Sequence, residues 1–243
     1  MNKVIPVSKN VGQTPLDSIN ELKMRNSALQ DAKLAYAGRL DPMAEGLLLV
    51  LVGDECKNRD HYQNLPKVYE FEVLFGIETD SHDVLGLPNR GSTLIKLENV
   101  LKALLGKRMQ KYPPYSSARV DGKPLFYWAR ENKLEQIQIP QKEIEIYSLE
   151  LLNTRTLNKQ TLLNEILEKV SLVHGNFRQR EIIAAWNEFF NDSHVNPFQI
   201  AKLRVSCSGG TYVRSIAREM GKKLGTDAIA YSIKRTQIGN YVL

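Results

Sequence analysis

Cysteine is scarce in this 243-residue chain: Cys56 and Cys207 stand far apart. They form no CxxC pair and no ladder of spacings, which excludes a disulfide framework and a cysteine-built zinc site. The four histidines (His61, His82, His174, His194) also lack metal-ligand spacing, and no metal is expected. Long hydrophobic runs are missing too. The longest apolar stretch noted, Leu47-Leu48-Leu49-Val50-Leu51-Val52, is too short to cross a membrane. The first residues, Met1 to Pro6, lack the apolar core of a signal peptide. A cytoplasmic location with no membrane partner is the expectation. Repeats and low-complexity tracts are absent. What is present is 42% apolar and 25% charged residues, the balance of a packed soluble core. The net charge of +6 fits a polyanionic partner, but many soluble proteins share such an excess and it decides nothing alone.

The most informative stretch runs from Gly38 to Gly46, Gly-Arg-Leu-Asp-Pro-Met-Ala-Glu-Gly, and leads into the apolar run closed by Gly53-Asp54. A run of that length reads as a fully buried strand or the start of a buried helix. The loop therefore holds Asp41 at the edge of the core on a rigid anchor, as catalytic groups often are. Taken alone, Asp-Pro marks a turn more often than a catalytic site.

Residues 3–9 read as a short edge strand because of Pro6. Thr14 and Pro15 signal a helix start, with the helix reaching about Asn26. Gly53 to Leu65 is polar and helical in character. Val68 to Gly76 alternates with period two. Tyr69 falls with Phe71, Val73 and Phe75, which places its ring at the core edge and its hydroxyl near a cleft. Thr79-Asp80-Ser81-His82-Asp83 reads, without context, as a solvated turn. Residues 97–106 predict a helix that ends at Gly106. In Gln110 to Ala118, Pro113-Pro114 stiffens an extended segment whose tyrosines, near Lys111 and Arg119, can stack on bases or pack on the core. Asp121-Gly122 is a hairpin turn, and Pro124 to Glu131 a helix with Phe126, Tyr127 and Ala129 available for burial.

Ile144 to Leu152 and Ala201 to Cys207 alternate as strands. Between them the apolar spacing is helical, and a two-helix hairpin spans about 155–199. Ser208-Gly209-Gly210-Thr211 then precedes a helix from Tyr212 to Leu224, a start resembling an anion-binding one. Arg214 sits in its first turn, where a cation opposes the helix dipole. Such an arginine needs a carboxylate or a phosphate as partner. Ala228 to Ile233 leads to a basic turn at Lys234-Arg235 and a closing strand.

Four separated stretches, in order, resemble the tRNA pseudouridine-55 synthase (TruB) family. They are Gly38 to Leu48; Lys67-Val68-Tyr69 with Thr79 to Asp83; Pro113-Pro114-Tyr115-Ser116-Ser117-Ala118 with Gly122 to Leu125; and Cys207 to Ile216. The likeness covers most of 3–152 and 201–243. It implies an α+β fold, a mixed and mainly antiparallel β-sheet flanked by helices with a central RNA-binding cleft. The chain is expected to be one catalytic domain over 1–243, carrying a helical insertion at 155–199 and no C-terminal RNA-binding domain of the PUA type. The resemblance implies conversion of uridine to pseudouridine in the T-loop of tRNA, with no cofactor and no metal. Asp41 would be the nucleophile, Tyr69 the stacked ring and proton acceptor, and Arg214 the partner of Asp41. Tyr36, Arg39, Asp83, Tyr212, Ile233 and Lys9 would contact the substrate. The expected partner is the T-stem-loop of tRNA, and the expected state is a monomer.

The chain departs from the family at several points. Tyr36 stands where a histidine is usual, Glu45 where a small hydroxyl residue is usual, and Arg39 resembles other pseudouridine synthase families. The hairpin has no recognised counterpart. The same chemistry on another RNA, or a non-catalytic RNA-binding protein on the same fold, are the alternatives. The presence of Asp41, Tyr69 and Arg214 together argues against the second.

Overall fold

The computed structural model describes residues 3–90 and 98–243. Strand β1 (Lys3–Lys9) lies at the sheet edge and pairs Pro6 with Leu49, where a missing N–H is tolerated. Helix α1 (Pro15–Arg25) starts with a reciprocal cap: Asp17 N–H donates to Thr14 Oγ1, and the Asp17 carboxylate accepts from the Thr14 N–H at 2.7 Å. Its expected stripe is only partly buried, since Ile19 packs inward while Leu16 and Met24 face solvent. Strand β2 (Leu34–Ala37) leads through the Asp41 loop into β3 (Ala44–Val52). The choice left open between strand and helix thus falls to strand, because Leu47 to Leu51 are covered on both faces and fully buried.

Helix α2 (Arg59–Asn64) precedes β4 (Lys67–Phe75), β5 (Ile77–Thr79), β6 (Pro88–Arg90) and α3 (Glu98–Lys102). The helix expected over 97–106 is therefore shorter. Residue 97 lies outside the described part, and Gly106, at φ +85°, opens β7 (Gly106–Lys111) instead of closing the helix. The short ribbon of β8 (Arg119–Val120) and β9 (Lys123–Pro124) turns at Asp121-Gly122 with both residues at positive φ, as hairpin turns require. In α4 (Leu125–Arg130) the buried residues are Leu125 and Ala129, and Phe126 is exposed.

Strand β10 (Gln141–Leu157) runs into the helical hairpin, α5 (Lys159–Ser171) and α6 (Gln179–Asp192). Then follow β11 (Phe198–Cys207), α7 (Val213–Lys223), β12 (Ala228–Ile238) and β13 (Tyr241–Val242). No turn occurs at Lys234-Arg235. The strand continues to Ile238 because the Arg235 guanidinium is buried against carbonyls of neighbouring segments.

The main sheet has the order β1-β3-β12-β4-β11-β10-β7, with β2 beside β3 and β13 beside β12. All of its pairs are antiparallel except β3 with β12. One face, with Tyr69, Phe71 and Val73, packs on Ile216, Ala217 and Met220 of α7. The other, with Leu74, Ile200 and Ile229, is covered by the hairpin. There Leu162, Ile166 and Val170 of α5, and Ile182, Trp186 and Phe190 of α6, recur every four residues and point inward. The fully buried Trp186 donates its indole N–H to the Val84 carbonyl at 3.0 Å. Burial of each such large apolar side chain is worth roughly 1.5–3 kcal/mol.

Candidate active site

Asp41 stands where β2 gives way to β3. The Ala44 N–H donates to the Asp41 carbonyl and the Gly12 N–H to the Pro42 carbonyl, so backbone bonds fix the loop from two sides. Gly46 closes the register with β12 at φ +102°, and a Cβ there would lie 2.3 Å from the Arg235 carbonyl oxygen. Glycine is required at that point. Arg235, 1% exposed, donates to the carbonyls of Leu47 (2.8 Å), Gly38 (3.0 Å) and Arg39 (3.3 Å). One buried cation thus ties β12 to the entry of the Asp41 loop.

Arg214, 2% exposed, comes from the first turn of α7. Its Nε donates to Asp41 Oδ2 at 2.8 Å and lies 3.5 Å from Asp83 Oδ2. Its two Nη atoms donate to the Ser81 carbonyl (2.6 Å) and the Tyr115 carbonyl (3.1 Å). Burial works against its charge, but the Asp41 and Asp83 carboxylates outweigh that and hold it above its usual value. Of the two kinds of partner expected for it, a carboxylate is present: Asp41, with Asp83 behind.

A cavity of about 360 Å³, within the range of small-ligand sites, brings together Asp41, Tyr69, Arg214, Tyr36, Arg39, Tyr212 and Ile233. Among the described residues, Asp41 is the sole carboxylate on its wall, and Arg59, Lys67, Lys142 and Arg235 add positive charge. Tyr69 is 6% exposed, and burial pushes its phenol up, with Arg235 pulling the other way. Burial, together with the Asp41 charge, pushes Tyr212 up to about 12. The Tyr212 ring meets Tyr112 edge-on at 5.3 Å, and its backbone is clamped by Gln110, which accepts from its N–H at 2.8 Å and donates to its carbonyl at 3.1 Å. That clamp occupies an amide expected to be free for an anion at the start of α7. The Arg59 guanidinium lies 5.3 Å from the centre of the Tyr36 ring.

Two residues expected to contact substrate lie off the wall of this cavity, although Asp83 lines a neighbouring one of about 320 Å³ beside Asp41 and Arg214. Lys9 is fully buried and donates to the carbonyls of Asn10 (2.9 Å) and Gln13 (2.8 Å), away from the cavity wall. Its ammonium is drawn inward because those carbonyls need a donor. Asp83 is 5% exposed and also off that wall; it accepts from Ser81 Oγ and the Leu85 N–H and backs Arg214. The segment Thr79 to Asp83 is thus a buried turn and not a solvated one, because its polar groups bond to one another. Burial pushes the Asp83 carboxyl up to about 6, against the pull of Arg214.

Lys67 and Arg235 were not singled out as site residues, although a signal existed. Each sits in phase with a buried residue of its strand, Lys67 with Tyr69 and Arg235 with Ile233. A cation on the inward face of a strand marks either a fixed partner or a cavity. No group of three or more His, Cys, Asp or Glu side chains suited to a metal occurs among the described residues. None of the described helices is long and apolar enough to cross a membrane.

Comparison with known proteins shows the family. Residues 25–169 match the family model described as TruB family pseudouridylate synthase (N terminal domain). The tRNA pseudouridine synthase B of Treponema denticola is 31% identical over the whole chain, which spans 61% of that relative's length. That of Bordetella avium is 30% identical, again over the whole chain and 83% of the relative. Among solved structures, a chain of a Cbf5-Nop10-Gar1 complex aligns over 98% of this chain and 49% of its own, with a TM-score of 0.59 and 17% identity. A chain of an H/ACA RNP bound to a substrate RNA containing 2'-deoxyuridine aligns with a TM-score of 0.55. Those likenesses show the same fold, and the sequence matches carry the rest: the chain belongs to the TruB family of pseudouridylate synthases.

Proposed function

We propose that this chain converts uridine to pseudouridine in tRNA, at the T-loop position 55, with Asp41 as nucleophile and without cofactor or metal. The observation that carries the reading is the Asp41 carboxylate on the wall of the cavity, held at 2.8 Å by a buried arginine and sharing the cavity with Tyr69. The reaction breaks the bond from C1′ of the ribose to N1 of the base and forms one from C1′ to C5. An ionised carboxylate can attack, or can shield the sugar cation while the base turns. Arg214 fixes the direction of the Asp41 carboxylate through its 2.8 Å bond. Tyr69 stacks on the turned base. Burial disfavours its phenolate, so the C5 proton reaches the phenol oxygen only as the phenol's own proton leaves to water, and N1, freed of the ribose, takes a proton up from water.

The target base must first leave its stack, at a cost of a few kcal/mol that aromatic walls offset in part. Tyr36, Tyr212 and Ile233 serve as those walls, and Arg39 and Arg59 at the rim meet phosphates. The helical segment of about 155–199 is an insertion into the catalytic domain in this reading. The test is incubation with an unmodified tRNA transcript followed by site-resolved pseudouridine mapping. Conversion at position 55 is the expected result, and conversion only elsewhere, or in another RNA, would replace this assignment. Asp41→Asn abolishes conversion while tRNA binding survives; an equal loss of binding would count against the catalytic role.

A further inference from the structure

The turn of the helical hairpin reaches the far side of the Asp41–Arg214 pair. Arg178, at the start of α6, donates from Nη2 to Asp80 Oδ2 at 2.9 Å. Its guanidinium carbon also lies 4.5 Å from the centre of the Tyr115 ring, a cation–π contact. Asp80 is held in turn through its other oxygen, which accepts from the Leu87 N–H at 2.9 Å. The two residues Arg178 grips are significant because of what adjoins them. Arg214 donates to the carbonyl of Ser81, next to Asp80, and to the carbonyl of Tyr115 itself. One side chain therefore fastens both of the segments whose carbonyls aim Arg214.

The turn is tied to the Asp41 loop as well. The His174 N–H donates to the Gly12 carbonyl at 3.0 Å, and the Gly12 N–H to the Pro42 carbonyl at 2.8 Å. Leu172 packs so close to Gly12 that a Cβ there would fall 2.1 Å from the Leu172 carbonyl oxygen. The turn itself is braced: Gln179 donates to the carbonyls of Val173 and Gly175 and accepts from the Phe177 N–H. Arg178 adopts a left-handed backbone at φ +64°, and its side chain is 18% exposed. The match to the family model ends at residue 169, before this turn.

We infer that Arg178 is a positioning residue for the catalytic pair, through which the hairpin locks Arg214, and hence Asp41, in the direction the reaction needs. The inference rests on the pseudouridine synthase reading only for its kinetic arm. Arg178 lies off the wall of the 360 Å³ cavity but lines a second one of about 320 Å³ beside Asp41, Asp83 and Arg214, so a positioning role is told from a direct contact with RNA by a fall in rate at an unchanged Kd. Loss of alignment by a fraction of an ångström commonly costs on the order of tenfold or more in rate.

The test compares Arg178→Ala, Arg178→Lys and Asp80→Asn with the unaltered chain. The first readout is hydrogen exchange of the Arg214 Nε–H by NMR, assigned through its absence in Arg214→Lys. Arg178→Ala is expected to speed that exchange by about tenfold or more, as local opening becomes easier. Asp80→Asn removes the same ion pair from its other end and reports the same change should Arg178→Ala fail to fold. Arg178→Lys keeps the charge without the flat face over Tyr115 and restores only part of the protection. Unchanged exchange in the folded variants overturns the inference, whether or not tRNA is modified. The second readout is single-turnover pseudouridine formation beside the Kd for tRNA. A roughly tenfold slower rate with Kd within twofold supports the inference, whereas equal loss in both overturns it. Arg180→Ala, on the exposed side of the same helix, leaves both readouts unchanged. A wild-type chain inactive on every tRNA would refute the proposed activity alone, since the exchange readout stands without it.

Discussion

Asp83 places two opposed physical effects on one carboxyl, and their balance can be measured. It is buried behind Arg214, which lies 3.5 Å away and favours the charged form. Burial disfavours the charge and prevails, pushing the carboxyl from an ordinary 3.8 up to about 6. Below pH 3.8 the folded and unfolded chains both hold this proton, and the contribution to stability is fully present. As pH rises toward 6 the unfolded chain releases it first, so unfolding gains. Above about 6 both states are ionised and the loss is complete. The distance between the two values corresponds to about 3 kcal/mol. Asp83→Asn binds no proton and removes this dependence. The assay is urea unfolding of both proteins at intervals from pH 4 to 8. The stability of the unaltered chain, relative to Asp83→Asn, should fall by about 2.5 kcal/mol across that range, most steeply between pH 4 and 6. A flat difference would refute the reasoning. A rise with pH would refute it more sharply, by showing that attraction to Arg214 exceeds the cost of burial.

Further outcomes follow from the same geometry. Binding of tRNA should weaken as salt rises, and replacing the exposed rim residues Arg39 and Arg59 with alanine should lower the slope of log K against log salt by roughly 2; a salt-insensitive Kd would remove phosphate contacts from the account. Gly46→Ala should destabilise the fold by about 2–4 kcal/mol in urea unfolding, because the added carbon meets the Arg235 carbonyl at 2.3 Å in a backbone conformation that alanine resists. Loss under 0.5 kcal/mol would show that β3 and β12 can move apart freely. Asp41→Asn, bound to tRNA as tightly as the unaltered chain yet unable to convert it, separates chemistry from grip.

Local pattern in the chain determined most of the elements. Alternation marked β4, β10 and β11, a Thr-Pro start marked α1, and the Asp-Gly pair marked the turn at Asp121-Gly122. An arginine in the first turn of a helix called for an anionic partner, a carboxylate or a phosphate, and the Asp41 carboxylate meets it. Each of these is decided within a few residues, by steric limits, by the helix dipole or by side-chain period. Tertiary structure alone decided which polar groups face the cavity. Lys9 and Asp83 turn inward to bond with nearby segments, while Arg235 fills its donors with carbonyls from Gly38, Arg39 and Leu47 on the far side of the chain. A two-residue period says that a side chain points in, but not whether it meets core, carbonyl or open space. That depends on which distant strand lies alongside, and no local spacing encodes it.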